Sequence, residues 1–138
     1  ERVNLIKMLM PHCAIGADVI VGFPSETEVD FMDTVDFLEN LPVSYLHVFT
    51  YSERDNTVAL DIQPAVPINI RHERNKILRN LSFMKMGYFT KQQAGQTRTV
   101  LFEGQNKNGM MVGYTDNYIR ITTHTREEWV NQLVDWRL

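Results

Sequence analysis

Apolar positions recur along this chain with changing periods, and each period predicts a different element. Residues 1–11 carry Val3, Leu5, Ile6, Leu9 and Met10 as the end of an amphipathic helix, stopped by Pro11. Residues 17–21 are a short β-branched run interrupted by Asp18 and closed by Gly22-Phe23-Pro24, which predicts a buried strand ended by a turn. Ser25-Glu26-Thr27-Glu28 has the form of a capping box, and Asp30 adds negative charge to the first helical turn. Phe31, Val35 and Leu38, joined by Met32 and Leu41, then follow helical spacing, with Asp33, Asp36 and Glu39 opposite. Leu41-Pro42 ends that helix, and residues 45–50 alternate as a second strand. This pattern predicts a parallel βαβ unit with a right-handed crossover. In such folds ligands meet the loops after the strands, here residues 22–27 and 50–57. The plainer reading makes both loops ordinary turns.

Residues 55–66 are turn-rich and hold Pro64, after which Pro67 suits a helix start. One long helix is expected over residues 68–93, with an apolar stripe of Ile70, Ile77, Leu81, Met84 and Tyr88, and with Gly95 as its stop. From there the period falls to two. Residues 97–103, 110–115 and 118–123 read as short strands, and Asn106-Lys107-Asn108-Gly109 as a hairpin turn. Residues 126–132 suit a brief helical turn and residues 133–138 a last strand. The expected fold class is therefore α/β: a βαβ part and long helix over residues 1–93, then a small all-β barrel of OB-like type over residues 94–138.

With 43% hydrophobic residues the chain is globular, and no apolar run reaches membrane-spanning length. The chain starts inside an element without an initiator Met, so a truncated start is expected. Its one cysteine, Cys13, excludes a disulfide framework and suits a reducing, cytoplasmic location. As a residue it reads as a small buried hydrophobe. His12, His47, His72 and His124 are scattered, with no zinc-like spacing. His47 alternates with Leu46 and Val48, so it faces either a barrel interior or a satisfied polar slot, and the slot is favoured. The net charge of -3 conceals a division: residues 1–66 carry -8 and residues 67–107 carry +6. Arg71, Arg74, Lys76, Arg79, Lys85, Lys91, Arg98 and Lys107 make up the basic segment. It reads either as a solvated helix face or as a phosphate-contacting surface.

Three words in order, GADVIVGFPSET, SYLHVFTYSER and GYTDNYIRI, resemble the tRNA methylthiotransferases. These are radical S-adenosylmethionine enzymes built from a cluster domain, a partial barrel and a C-terminal TRAM domain. The resemblance spans nearly the whole chain, from the last part of the barrel to most of TRAM. Its wording is most similar to the branch that thiomethylates N6-threonylcarbamoyladenosine beside the anticodon. The resemblance implies a C-terminal fragment in which residues 17–21 and 45–50 are the last strands of a (βα)6 partial barrel. It implies that Gly22, Pro24 and Glu26 shape the cofactor loop, with Val48, Phe49 and Tyr51 near the adenine and Arg54 near cofactor or substrate. It further implies that Tyr114, Asn117, Tyr118 and Arg120, with Arg98 and Lys107, contact tRNA. For Tyr118 and Ile119 barrel core is the competing reading.

Two departures from the family wording touch backbone conformation. Ser25 stands where Gly is usual, and Asp55-Asn56-Thr57 replaces Pro-Gly-Thr, although Asn56 tolerates positive φ. The family's cofactors are S-adenosylmethionine and two 4Fe-4S clusters. One cysteine cannot ligate either cluster, so the isolated chain is expected to be inert, completed by a missing N-terminal half of the same protein. Its exposed strand edges would favour self-association. The competing functions are a stand-alone RNA-binding module, a small-ligand α/β domain, or a sister branch acting on isopentenyladenosine tRNA or a ribosomal protein.

Overall fold

The computed structural model describes residues 1–105 and 108–138, which form two compact units. Residues 1–11 and 15–88 make the first, and residues 12–14 and 89–138 the second.

In the first unit, helix α1 (Arg2–Leu9) precedes strand β1 (Gly16–Val21), helix α2 (Glu28–Asn40) and strand β2 (Tyr45–Thr50). A 3-10 turn at Val58–Asp61 then leads to helix α3 (Ile68–Gln92), which runs on into the second unit. β1 and β2 pair in parallel, Gly16 opposite Tyr45 through Val21 opposite Thr50. The βαβ pairing expected from the sequence is therefore present. Ala17, Val19, Val21, Leu46 and Val48 share the face that packs with Phe31, Val35 and Leu38 of α2 and Leu78 and Leu81 of α3. The other face carries Asp18, Ile20, His47 and Phe49, all exposed. His47 does not occupy a buried polar slot. It stands on this open face, edge-on to Tyr45 at 5.1 Å.

The start of α2 differs from the expected box. Thr27, not Ser25, is the N-cap: its hydroxyl accepts from the Asp30 N–H at 3.2 Å, and Asp30 Oδ2 accepts from the Thr27 N–H at 2.8 Å. Ser25 instead takes φ +67° in the preceding turn, and Asn56 takes φ +62°. Both departures from glycine thus keep a left-handed backbone, and the Ser25 N–H is anchored on the Pro64 carbonyl at 2.8 Å. At the other end of α2, Lys85 reaches from α3 to the carbonyls of Glu39 (3.1 Å) and Leu41 (2.8 Å), a cation where the helix dipole is negative.

The buried face of α3 shares only Leu81 with the expected stripe. Ile77, Met84 and Tyr88 are exposed, and Arg71, Arg74, Leu78, Leu81 and Phe89 are buried. Polar side chains on α3 also close the outer edge of β2. Ser82 Oγ donates to the Leu46 carbonyl at 3.0 Å and accepts from the Leu46 N–H at 2.8 Å. Asn75 donates to the Val48 carbonyl at 3.3 Å. This outer edge of β2 is therefore not an open pairing template.

In the second unit, β3 (Thr97–Gln105), β4 (Met110–Thr115), β5 (Arg120–His124) and β6 (Leu133–Arg137) form an antiparallel sheet in the order β5-β4-β3-β6. Glu127–Trp129 is a 3-10 turn. The four short strands expected from the period-two segment are present. β5 and β6 lie at opposite ends of the sheet among the described residues, so the pairings are those of an open sheet, not a closed barrel. The hairpin expected at residues 106–109 lies partly outside the described residues. Val100, Phe102 and Met111 are the centre of this core, and Phe102 packs with Trp129 at 5.4 Å and Trp136 at 5.7 Å. Gly113 is required by close approach: a Cβ there would lie 2.7 Å from the Leu101 carbonyl oxygen and from the Phe102 ring.

Ser82→Ala leaves the Leu46 N–H and carbonyl without their partner. Urea denaturation should show a loss of about 1–3 kcal/mol with an unchanged slope. A variant as stable as the parent would show that water replaces Ser82 at no cost.

Candidate functional site

At the carboxyl ends of β1 and β2, two buried arginines one helical turn apart on α3 each hold one loop. Arg71 donates from Nε to the Val66 carbonyl (2.7 Å), from Nη1 to the Tyr51 carbonyl (3.2 Å) and from Nη2 to Glu53 Oε1 (2.7 Å). Arg74 donates from Nη1 to the Glu26 carbonyl (3.1 Å) and carboxylate (2.9 Å), and from Nη2 to Glu28 (3.1 Å). The same Glu26 Oε2 accepts the Gly22 N–H, which fixes the turn leaving β1. Gly22 has φ +75°, and a Cβ on it would strike the Arg71 side chain at 2.4 Å. Glu26 is thus a structural member of the loop, committed to Gly22 and Arg74.

Around this scaffold the resemblance-derived residues separate. Phe49 is 53% exposed on the open face and pairs in register with Ile20, 60% exposed, so β1 is not the fully buried strand expected from its sequence. Strict alternation along β1 would have placed Ile20 there. Phe23 lies edge-on to Tyr51 at 5.3 Å, Pro24 is buried, and Arg54 is exposed. Val48 lies on the opposite, helix-packed face, so its side chain cannot share a surface with Phe49.

In the second unit the word GYTDNYIRI folds into a knot and a display. Thr115 Oγ1 donates to Asn117 Oδ1 (2.7 Å) and accepts from the Ile119 N–H (2.8 Å). Asn117 Nδ2 donates to the His12 carbonyl (3.0 Å) and Gln93 Oε1 (3.2 Å). Asn117 is buried and fully engaged, so it supports the turn and does not face RNA. The turn it holds carries Tyr118 at φ +64°, 67% exposed, while Ile119 is core. Arg120, Tyr114, Leu101 and Leu133 are successive register partners in one exposed row across all four strands. Arg98 binds Asp116 at 3.0 Å and Gln93 at 3.3 Å, so its guanidinium is partly spent inside the unit. Lys107 lies outside the described residues.

The basic segment is therefore not one phosphate surface. Arg71 and Arg74 are buried in ion pairs with the acidic first half of the chain, and Lys85 caps α2. This pairing absorbs part of the charge division seen in the sequence. Lys76, Arg79 and Lys91 remain exposed. Among the described residues no group of three His, Cys, Asp or Glu side chains is placed to hold a metal ion.

Comparison with known proteins gives one domain and a consistent set of relatives. Residues 91–135 match the TRAM domain. The chain is 35% identical, over 97% of its length, to the threonylcarbamoyladenosine tRNA methylthiotransferase of Bacillus subtilis, and 40% identical, over 97%, to that of Aquifex aeolicus. It is 32% identical over its full length to the tRNA-2-methylthio-N(6)-dimethylallyladenosine synthase of Staphylococcus aureus. The chain spans 31% of each of the first two and 27% of the third.

The Arg71 hydrogen bond holds the Glu53 carboxyl below its usual range, and the Thr27 hydroxyl, then its amide, does the same for Asp30. Carboxyls depressed by folding contribute stability above their unfolded pKa of about 4, and lose it as pH falls through the lower folded value. Urea titrations of Glu53→Gln and Asp30→Asn should show a deficit against the parent that is full at neutral pH and vanishes in acid. A deficit that grows on acidification would contradict these pairings.

Proposed function

Because this chain is a homologue of the tRNA methylthiotransferases along nearly its whole length and carries a TRAM domain, we propose that it is the C-terminal part of such an enzyme, acting on N6-threonylcarbamoyladenosine in tRNA. The observation that carries the reading is the 35–40% identity to three relatives named for that substrate, against 32% to the dimethylallyladenosine synthase. In this reading β1, α2 and β2 are the last strand–helix–strand of a radical S-adenosylmethionine partial barrel. The side-chain closure of β2 supports a terminal strand at this position.

The residues present fit one wall of a nucleoside-cofactor site. Ile20 and Phe49 offer an exposed apolar surface near both strand ends, beside the tight turn at Gly22 whose Cβ position is filled by Arg71. When bound, S-adenosylmethionine would supply the radical that activates the base and the methyl group that completes the product. Phe49 would hold the cofactor, with Ile20 excluding water from its adenine face and Gly22 shaping the turn beside it. Arg71 and Arg74 would keep the two loops in place without touching it. Cluster iron would be held outside this chain, since Cys13 is its one cysteine.

The TRAM unit would hold the tRNA. Tyr118 and Tyr114 present rings that can stack on unpaired bases, and Arg120 lies beside Tyr114 for phosphate. The buried Thr115–Asn117 knot would keep Tyr118 projecting.

The test is nucleoside mass spectrometry of tRNA from cells lacking the complete parent protein. A missing methylthio group on threonylcarbamoyladenosine, restored by the complete gene, is expected. Loss confined to dimethylallyladenosine derivatives, or an unchanged profile, would contradict the assignment.

A further inference from the structure

We propose a second RNA-contacting site in the first unit, on the exposed face of α3 beside the β2 edge. A cleft of about 450 Å³ opens there, lined by Tyr45 and His47 of β2 and by Arg79, Ser82, Phe83 and Met86 of α3. Phe83 is 82% exposed although aromatic, and Tyr45 and His47 stand edge-to-face at its other side. Lys76 and Arg79 lie on the same helical stripe as Phe83, at spacings of three and four residues. Neither makes any of the ion pairs seen among the described residues, whereas Arg71 and Arg74 on the inward stripe are both held in carboxylate ion pairs.

The occupant follows from chemistry. A free sheet edge beside a cleft would suit an added β-strand, but here Ser82 occupies the Leu46 N–H and carbonyl, and Asn75 the Val48 carbonyl. What the cleft offers is flat π surface, an imidazole and the Arg79 guanidinium, with Lys76 one turn along the same helical stripe. That set matches an unpaired nucleotide: the base stacks on Phe83 or Tyr45, His47 meets a base edge, and Arg79 and Lys76 meet the flanking phosphates. This inference rests on the reading of the chain as the RNA-holding part of a tRNA-modifying enzyme, and it adds a contact separate from the TRAM sheet.

The test is fluorescence anisotropy with a labelled, unmodified anticodon stem-loop RNA, using the full 138-residue chain across a range of salt concentrations. Lys76→Ala and Arg79→Ala should each lower the slope of log affinity against log salt by about 1. Phe83→Ala should weaken binding about tenfold and leave the slope unchanged. Asn80→Ala, exposed on the same helix outside the cleft, serves as the control. All three side chains are exposed, so far-UV circular dichroism should be unaltered. If the three variants bind like Asn80→Ala while Tyr118→Ala loses affinity, this site is overturned and the TRAM assignment stands. If the unsubstituted chain binds no RNA, this site is overturned, while the assignment of the parent enzyme is judged separately by the tRNA nucleoside profile.

Discussion

The first unit depends on a polar seam along the inward side of α3. Arg71 and Arg74 gather the loops that leave β1 and β2, Asn75 and Ser82 complete the backbone of β2, and Lys85 closes the end of α2. A two-stranded parallel sheet has few ladder bonds of its own and is seldom stable alone. Here one helix replaces the missing neighbour strand with side chains. The cost is the desolvation of two guanidinium groups, offset only because Glu26, Glu28, Glu53 and three carbonyls receive their protons.

That arrangement separates support from display. Residues that carry charge and lie near the strand ends, such as Glu26, Arg71 and Arg74, are consumed by the scaffold. The surfaces left exposed are Ile20 and Phe49 on the sheet, and the Lys76–Arg79–Phe83 stripe on the helix. The second unit divides its residues in the same way. Asn117 is buried with Thr115 and Gln93 so that Tyr118 can stand out in a left-handed turn. The functional reading follows from which side chains remain exposed once the internal hydrogen bonds are made.

Much of the fold was legible because its signals are local. Alternation at residues 45–50, the acidic helix start and Pro67 each act over a few residues, and the strands and helices stand where they point. The buried face of α3 was not legible. Apolar spacing selected Ile77, Met84 and Tyr88, yet the inward turns hold Arg71 and Arg74, whose burial depends on carboxylates some 18 to 48 residues away in sequence. The same non-local pairing hid the true role of the basic segment. The capping box failed by two residues because Ser25 was needed in the left-handed turn, leaving Thr27 to cap. Among the candidate site residues, Phe49 and Tyr118 stand exposed, which removes barrel core as the reading of Tyr118. Asn117 was misread because a motif word does not say whether its polar member faces ligand or core.

The measurement that bears most directly on the seam is native-state hydrogen exchange at two amides, Gly22 and Leu46, in the parent and in Arg74→Met. Gly22 donates to the carboxylate that Arg74 holds, whereas Leu46 donates to Ser82. Selective loss of protection at Gly22 by about tenfold or more, the equivalent of ~1.4 kcal/mol, is the expected result. Unchanged exchange at Gly22, or equal loss at both amides, would contradict the account that Arg74 positions this loop.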